Sequence, residues 1–271
     1  MSASSDSRIL KIGIVGFGPF GQFLGKTMIK QGHILRATSR SDYSELCANS
    51  GISFFREIGA FLEAENDVIL ICTSILSLQE VLKSMPLHHL KRPTLFADVL
   101  SVKEHPRNVL LREHDVLCTH PMFGPESGKD GWKGLNFMYE KVRIRNEAIC
   151  SSFLQIFESE GCRMLKMSCE EHDKLAARSQ FLTHTIGRVL SEMEIQSTSI
   201  NTKRFETLVQ LKEGTMNDSS DLFSGLFVHN RFAQQELQNL ELALQKVKQE
   251  LIEKMNEEKD LNDSKDVEYS R

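Results

Sequence analysis

Apolar and polar residues follow two different periodicities over the first 168 residues. β-Branched and aliphatic runs predict seven strands, at Lys11–Val15, Leu35–Ser39, Val68–Thr73, Thr94–Val99, Val116–Thr119, Asn136–Ile144 and Arg163–Met167. Between them, helical spacing predicts four helices, at Phe20–Gln31, Ser77–Ser84, Lys103–Arg112 and Asn146–Ser159. The strand runs are mostly apolar throughout, as in a sheet that is covered on both faces. The pattern therefore predicts an α/β fold built from parallel βαβ units.

The strand pattern stops after Ser168, and the sequence is then helix-like up to Met255. The helical segments are Glu170–Met193, Arg204–Lys212, Ser219–Phe232 and a final helix with an apolar stripe of Leu237, Leu240, Leu244, Val247 and Leu251. This stripe suits packing on a helix of the same domain or across a dimer interface. We predict an α/β domain over residues 1–168, an all-helical domain over residues 169–255 and a charged flexible tail over residues 256–271.

Composition and charge exclude several classes of protein. The 271 residues are 40% hydrophobic and 26% charged, which is an ordinary globular balance. A net charge of -4 leaves no broad cationic surface for nucleic acid. No apolar run approaches the roughly 18 residues that indicate a membrane span. We therefore expect a protein that binds neither nucleic acid nor a membrane.

The six cysteines and nine histidines show no metal-binding spacing. The chain has neither a CxxC pair nor an HExxH segment, so we expect reduced thiols and no metal site. The segment before the first strand is too short for a transit peptide and lacks the apolar core of a secretion signal. With Met1 as the native start, these features predict a cytoplasmic protein.

A glycine-rich turn joins the first predicted strand to the first predicted helix. Its sequence, Gly16-Phe17-Gly18-Pro19-Phe20-Gly21, has the GxGxxG spacing in the strand–turn–helix context that signals dinucleotide binding. Gly16 permits a tight turn, Gly18 permits close approach of a pyrophosphate, and Gly21 permits close helix–strand packing. Free N–H groups at the helix start then hold the anion. We interpret the turn as the phosphate site of a Rossmann-type domain; the alternative is a turn without function.

The end of the second predicted strand indicates which dinucleotide is bound. Folds specific for NAD place Asp or Glu there, whereas this chain has Ser39-Arg40-Ser41. A cation between two hydroxyls complements a 2′-phosphate, so the sequence favours NADP. A plain exposed arginine at a strand end is the alternative. Thr73 and Asp98, at the ends of two later strands, complete the predicted cofactor-binding residues.

Hydride transfer from an alcohol needs a group that accepts the hydroxyl proton. His120 is the candidate, because it ends a predicted strand and precedes the turn Pro121-Met122-Phe123-Gly124-Pro125. Ser101 ends the preceding strand and is expected to hydrogen-bond the same hydroxyl or the imidazole. The alternatives are a histidine satisfied by a backbone carbonyl and a serine that caps a helix. No tyrosine has a lysine four residues later, so the tyrosine–lysine pair of short-chain dehydrogenases is absent.

Several segments, over about Lys11 to Lys246, resemble plant arogenate and prephenate dehydrogenases. They are the glycine-rich turn, Asp98-Val99-Leu100-Ser101-Val102-Lys103, Thr119-His120-Pro121-Met122-Phe123-Gly124-Pro125-Glu126-Ser127-Gly128 and Ser179-Gln180-Phe181-Leu182-Thr183-His184-Thr185-Ile186-Gly187. The resemblance implies that His120 is the catalytic histidine, with Ser101 as its hydroxyl partner. It places Gln180, Thr183 and His184 in the substrate site. It also implies a homodimer formed through the helical domain.

The activity implied by this resemblance is the NADP-dependent oxidative decarboxylation of arogenate to tyrosine. In the family, an acidic residue in the segment matching Glu213–Leu222 accompanies arogenate use, and a neutral one accompanies prephenate use. Asp218 matches that position and favours arogenate, although it also fits a helix N-cap. Because the chain starts almost at the first strand, it resembles the non-plastidic branch of the family.

Three other functions stay open at this point. A prephenate dehydrogenase would form 4-hydroxyphenylpyruvate instead of tyrosine. A catalytically inactive NADP-binding sensor would keep the nucleotide turn and have no turnover. A hydroxyacid dehydrogenase would use a lysine base such as Lys174, at the start of the helical domain.

Overall fold

A single eight-stranded sheet forms the centre of the computed structural model, which describes residues 8–110 and 114–268. Its strands are β1 Lys11–Val15, β2 Ile34–Thr38, β3 Ser53–Phe55, β4 Val68–Ile71, β5 Leu95–Asp98, β6 Asp115–Pro121, β7 Asn136–Arg143 and β8 Arg163–Lys166. They lie in the order β3-β2-β1-β4-β5-β6-β7-β8. The order reverses between β1 and β4, and the crevice beyond their carboxyl ends is where such sheets bind ligands.

The sheet is parallel from β3 to β6 and changes direction at β7. Strand β7 runs antiparallel to β6, and β8 is parallel to β7. The expectation of parallel units throughout is therefore wrong at this edge. The chain between β6 and β7 forms turns without a helix, and only a crossover connection would have kept the pair parallel.

Eleven α-helices surround and follow the sheet in the described part of the chain. They are α1 Pro19–Lys30, α2 Ser44–Asn49, α3 Ile58–Glu63, α4 Leu78–Ser84, α5 Glu104–Val109, α6 Glu147–Ser159, α7 Cys169–Ala176, α8 Leu182–Glu192, α9 Lys203–Asn217, α10 Ser220–Val228 and α11 Ala233–Glu268. Sequence analysis missed β3, α2 and α3, because elements of three to six residues show no measurable periodicity. The predicted end of α5, at Arg112, lies outside the described residues.

Two hydrophobic clusters cover the two faces of the sheet. Alternate residues of each strand belong to opposite clusters: Leu70 faces the cluster that contains Leu24 of α1, whereas Ile71 faces the cluster that contains Phe61 of α3. This explains why the strand sequences are apolar at nearly every position. The predicted α/β fold, a Rossmann-type sheet followed by helices, is confirmed.

The region after the sheet is helical, with two departures from the predicted segments. The expected continuous helix Glu170–Met193 is interrupted by a π-turn at Ala177–Phe181 between α7 and α8. Helix α11 continues to Glu268, so residues 256–268 of the predicted tail are helical. Glu257, Glu258 and Lys259 at the start of this segment are strong helix formers, and Glu257 pairs with Lys254, one turn before it. Residues 269–271 of the predicted tail lie outside the described residues.

Helix α11 carries the predicted apolar stripe largely in solvent. Leu244 is 67% exposed and Leu251 is 66% exposed.

Among the described residues, no helix is both long and apolar enough to cross a membrane. All six cysteines are free thiols, and five of them are buried.

Candidate active site

The glycine-rich turn has the geometry that its spacing predicts. Gly16 has a φ of 91°, and a Cβ there would lie 2.8 Å from the carbonyl oxygen of Cys72, the residue after β4. A Cβ on Gly21 would lie 2.7 Å from the carbonyl oxygen of Gly16. At Gly18 a Cβ would meet nothing within 4 Å, so this position faces open space. The turn thus leaves room for a phosphate only at Gly18.

Helix α1 begins at Pro19, with Gly18 as its N-cap and no acidic residue in its first turn. The Gln22 N–H donates to the Gly18 carbonyl over 3.0 Å, so the N–H groups of Phe20 and Gly21 precede the first intrahelical bond and are open to an anion. Phe17 is buried and packs edge-on against Tyr43. Its side chain therefore supports the turn from the core.

The carboxyl end of β2 presents the residues predicted to select the nucleotide. Ser39 is half-buried, whereas Arg40 and Ser41 are exposed. The Arg56 Nη1 donates to the backbone carbonyl of Arg40 over 3.3 Å. Arg56 brings a second cation to this corner, which sequence analysis missed because it follows the undetected strand β3.

Asp98 lies deeper in the site than a ligand-facing residue normally does. It is completely buried at the end of β5 and forms an ion pair with Lys103, whose side chain is also fully buried. The Lys103 Nζ also donates to the carbonyl of Thr119, next to His120. Lys103 therefore joins the ends of β5 and β6, a role that sequence analysis did not assign to it.

His120 lies at the carboxyl end of β6. It is held by His172 of the helical region, which is held in turn by Asp173. Its Nδ1 lies 2.8 Å from His172 Nε2, and His172 Nδ1 lies 2.8 Å from Asp173 Oδ1. The Asp173 carboxylate also accepts the backbone N–H groups of Lys103, at 2.7 Å, and Glu104, at 2.8 Å. Sequence analysis missed both His172 and Asp173.

These bonds fix the tautomers of the two rings. Because the Asp173 carboxylate only accepts, His172 carries its proton on Nδ1, and its Nε2 accepts from His120. His120 then holds its proton on Nδ1, which leaves its Nε2 unprotonated. The arrangement thus gives His120 one free acceptor nitrogen, the group that a proton acceptor needs.

Burial keeps His120 neutral. The pKa of His120 is lowered well below 6.5, first by burial and then by the charges of His172 and Lys103. The pKa of His172 is lowered as well, again mainly by burial. Both imidazoles are therefore neutral at neutral pH.

Ser101 and Lys174, the two other residues considered for the proton transfer, lie in different surroundings. Ser101 is half-buried in the bend after β5, and in the described part of the chain His120 bonds His172 rather than the Ser101 hydroxyl. The N-cap of α5 is Lys103, so Ser101 is not that helix's cap. Lys174 is exposed on α7, whereas His120 is buried.

The π-turn sets the orientation of the helix predicted to bind substrate. His172 and His184 are twelve residues apart, which in an uninterrupted α-helix is about 120° around the axis. A π-turn accommodates about one extra residue and reduces that difference to about 20°. His184 is buried like His172, whereas Thr183 is exposed. The structure therefore groups Gln180, in the π-turn, with His184 and leaves Thr183 outside.

Asp218 lies beside this helix and does not cap the next one. Ser219 is the N-cap of α10 and accepts the Leu222 N–H, which excludes the capping role considered for Asp218. Asp218 Oδ2 lies 3.7 Å from His184 Nε2, and the carboxylate is about half exposed. Burial is the main cause that lowers the pKa of His184, so this neighbour is neutral and leaves the Asp218 charge uncompensated.

Buried polar atoms without a hydrogen-bond partner are concentrated here. Six described residues have such atoms, and five of them belong to this region: Thr73, Asp98, Gln180, His184 and Arg188. Buried polar groups are normally paired, so this cluster indicates a ligand site. No group of three or more His, Cys, Asp or Glu residues suited to a metal ion occurs among residues 8–110 and 114–268.

Known proteins resemble both parts of the chain. Residues 24–142 match the family model "Prephenate dehydrogenase, nucleotide-binding domain", and residues 189–263 match "TYRAAT1-like, C-terminal domain". Arogenate dehydrogenase 2, chloroplastic, from Arabidopsis thaliana is 52% identical over 260 residues, covering 93% of this chain and 73% of the relative. The chain belongs to the arogenate dehydrogenase family.

A second member of the arogenate dehydrogenase family has a similar sequence identity to this chain, but the chain covers a smaller share of that relative. Arogenate dehydrogenase 1, chloroplastic, from Arabidopsis thaliana is 53% identical over 260 residues, which are 93% of this chain. The chain spans 41% of that relative.

Solved structures support the fold of this arogenate dehydrogenase family member. Prephenate dehydrogenase from A. aeolicus, in complex with hydroxyphenyl propionate and NAD+, aligns with a TM-score of 0.73 and 17% identity over 98% of this chain and 99% of that one. Synechocystis arogenate dehydrogenase aligns with a TM-score of 0.65 and 18% identity over 88% of this chain and 90% of that one. Residues 24–142 belong to a nucleotide-binding domain, as the family model that they match indicates.

Proposed function

We propose that this protein catalyses the NADP-dependent oxidative decarboxylation of arogenate to tyrosine. The observation that carries the proposal is the buried His120, whose Nε2 is left as an acceptor by the bonds through His172 to Asp173. A sensor without turnover has no need for a proton acceptor held in one tautomer. Family membership supplies the substrate class, and Asp218 supplies the preference for arogenate.

In the proposed reaction, the C4–H of the substrate leaves as hydride while the ring carboxylate leaves as carbon dioxide. When bound, NADP accepts the hydride. His120 Nε2 accepts the proton of the C4 hydroxyl, and the positive charge that develops on the His120 imidazole is stabilised, through His172, by the Asp173 carboxylate. The electron pair released by decarboxylation makes the substrate ring aromatic and leaves a phenolate oxygen, which takes the proton back from His120 Nε2 to give tyrosine. Ser101 lies in the adjoining bend and is proposed to orient the substrate hydroxyl.

The residues of the glycine-rich turn fit a dinucleotide. Gly18 faces open space, and the first N–H groups of α1 are available to a pyrophosphate. Thr73 has a buried hydroxyl without a partner at the end of β4, where the sheet order reverses. Arg40, after β2, and Arg56, after β3, favour the 2′-phosphate of NADP, with Ser39 and Ser41 beside Arg40.

Formation of tyrosine tests the activity itself. The full-length protein is incubated with NADP and arogenate, and tyrosine and NADPH are quantified together. We expect equal amounts of the two products. Binding of NADPH without any tyrosine would identify the inactive sensor instead.

Replacing Arg40 by aspartate is expected to reverse or flatten the preference for NADP. The 2′-phosphate loses a charge-assisted bond worth about 1.5–3 kcal/mol, and the new carboxylate repels it. The measurement is kcat/KM for NADP and NAD in the wild type and the variant. Lys30→Asp, an exposed charge change at the far end of α1, is the control and should keep the wild-type preference. Equal use of both cofactors by the wild type would contradict the assignment.

We also propose that the protein forms a homodimer through its helical region. Leu244, Val247 and Leu251 of α11 are all more than half exposed, although they repeat at three-and-four spacing. Leu244→Asp combined with Leu251→Asp is expected to convert a dimer to a monomer, as measured by light scattering after gel filtration. Gln245→Asp, on another side of the same helix, should leave the mass unchanged. A monomeric wild type would refute the dimer.

A further inference from the structure

One edge of the Arg188 guanidinium, on α8, has no hydrogen-bond partner in the described part of the chain. Its Nε and Nη2 are both buried and have no hydrogen-bond partner. These two nitrogens form the side of a guanidinium that grips a carboxylate with two parallel hydrogen bonds. An unpaired buried charge of this kind is costly, so a ligand that supplies the partner is expected.

The surroundings of Arg188 place it in the candidate substrate site. It lies one helical turn after His184 and two turns after Gln180, and both of these residues also have buried polar atoms without partners. The Arg188 guanidinium lies over the ring of Phe223 on α10, 4.6 Å from its centroid. Its charge contributes to the lowered pKa of His184. The three side chains therefore form one row along the face that begins at the π-turn.

A positive and a negative group thus lie near the same residue of this row, His184. Asp218 lies 3.7 Å from His184, and Arg188 is one turn further along the same helix. The Arg188 charge lowers the pKa of His184 and the Asp218 charge raises it, so both charged groups act on the same imidazole. Such a pair complements a ligand that carries an ammonium and a carboxylate on the same carbon atom.

We propose that Arg188 binds the carboxylate of the amino-acid side chain of the substrate, while Asp218 binds its ammonium. This inference rests on the proposed function and extends it from the reacting ring to the other end of the substrate. Prephenate has the same side-chain carboxylate with a ketone beside it. Arg188 therefore supports binding of both substrates, and Asp218 alone distinguishes them.

Tyrosine shows which substrate carboxylate Arg188 binds, because tyrosine keeps the side-chain carboxylate and lacks the ring carboxylate. We compare binding of tyrosine and of tyramine, which lacks the carboxylate, to the NADP-saturated full-length protein by calorimetry. Arg188→Met is expected to weaken tyrosine binding about 10- to 100-fold and to leave tyramine binding unchanged. Arg188→Lys keeps the charge but cannot form two parallel hydrogen bonds, so it should weaken tyrosine binding by an intermediate factor.

Two controls keep the result interpretable. Arg204→Met changes an exposed arginine on the neighbouring helix α9 and should leave both affinities at wild-type values. NADP affinity in the Arg188 variants reports whether they are folded. With arogenate as substrate, Arg188→Met is expected to raise KM by a similar factor while kcat changes less.

A variant that binds tyrosine normally but has a raised KM for arogenate would overturn the inference, because Arg188 would then hold the ring carboxylate. A wild type that binds tyrosine and tyramine equally would overturn it as well. Failure of the proposed function would appear separately, as a wild type that makes no tyrosine from arogenate.

Discussion

Replacing His120 by asparagine is expected to lower kcat by about 10²–10⁴, the usual loss when a general base is removed. The affinity for NADP should change little, because His120 lies at the end of β6 and the phosphate site lies at the end of β1. The measurement is steady-state kinetics with arogenate, together with NADP binding by calorimetry. His88→Asn, an exposed histidine outside the site, is the control. A near-normal kcat in His120→Asn would remove the catalytic role.

The pH dependence of kcat follows from the same residue. His120 works as a base only when neutral, and a lowered pKa keeps it neutral to a lower pH than an ordinary histidine. The acid limb of the profile is therefore expected below pH 6.5, with a plateau above it. An ordinary, unperturbed histidine would place the limb near pH 6.5, so the structure revises that expectation downward.

Replacing Asp218 by asparagine is expected to shift the preference from arogenate toward prephenate by one to three powers of ten. The carboxylate pairs with the arogenate ammonium and repels the electron-rich ketone of prephenate, so its loss acts on both substrates. A shift of that size corresponds to about 1.4–4 kcal/mol. The measurement is the ratio of kcat/KM for the two substrates in the wild type and the variant.

Ser219→Ala is the matched control for that experiment. Ser219 accepts the Leu222 N–H as the cap of α10, so its loss should cost about 1 kcal/mol of stability. It should leave the substrate ratio unchanged, since the hydroxyl is committed to the helix. If Asp218→Asn kept the wild-type ratio, the neighbouring Asp218 would have no part in specificity.

The sheet was predictable from sequence because both of its faces are buried. Strands with apolar residues at nearly every position, such as Val68–Ile71, are visible in the sequence itself. The direction of β7 was not, because it depends on how the chain returns after β6. The division into domains at residue 168 stays a prediction, as does the cytoplasmic location.

The candidate site was predictable only where chemistry follows a motif. The glycine-rich turn and His120 occur in recognisable contexts, whereas His172 and Asp173 are an ordinary pair in a helix until the fold brings them to β6. Lys103 was predicted only as the first residue of a helix, and its side chain is completely buried. The π-turn before α8 has no local sequence signal. The row formed by Gln180, His184 and Arg188 could therefore be recognised only in the three-dimensional structure.

The most direct test of the account is kcat/KM of the wild type for arogenate and prephenate, measured side by side with NADP. We expect NADPH formation with both substrates, which depends on His120 in each case, and a higher kcat/KM for arogenate because of Asp218. A preference for prephenate, or no turnover of either substrate, would contradict it.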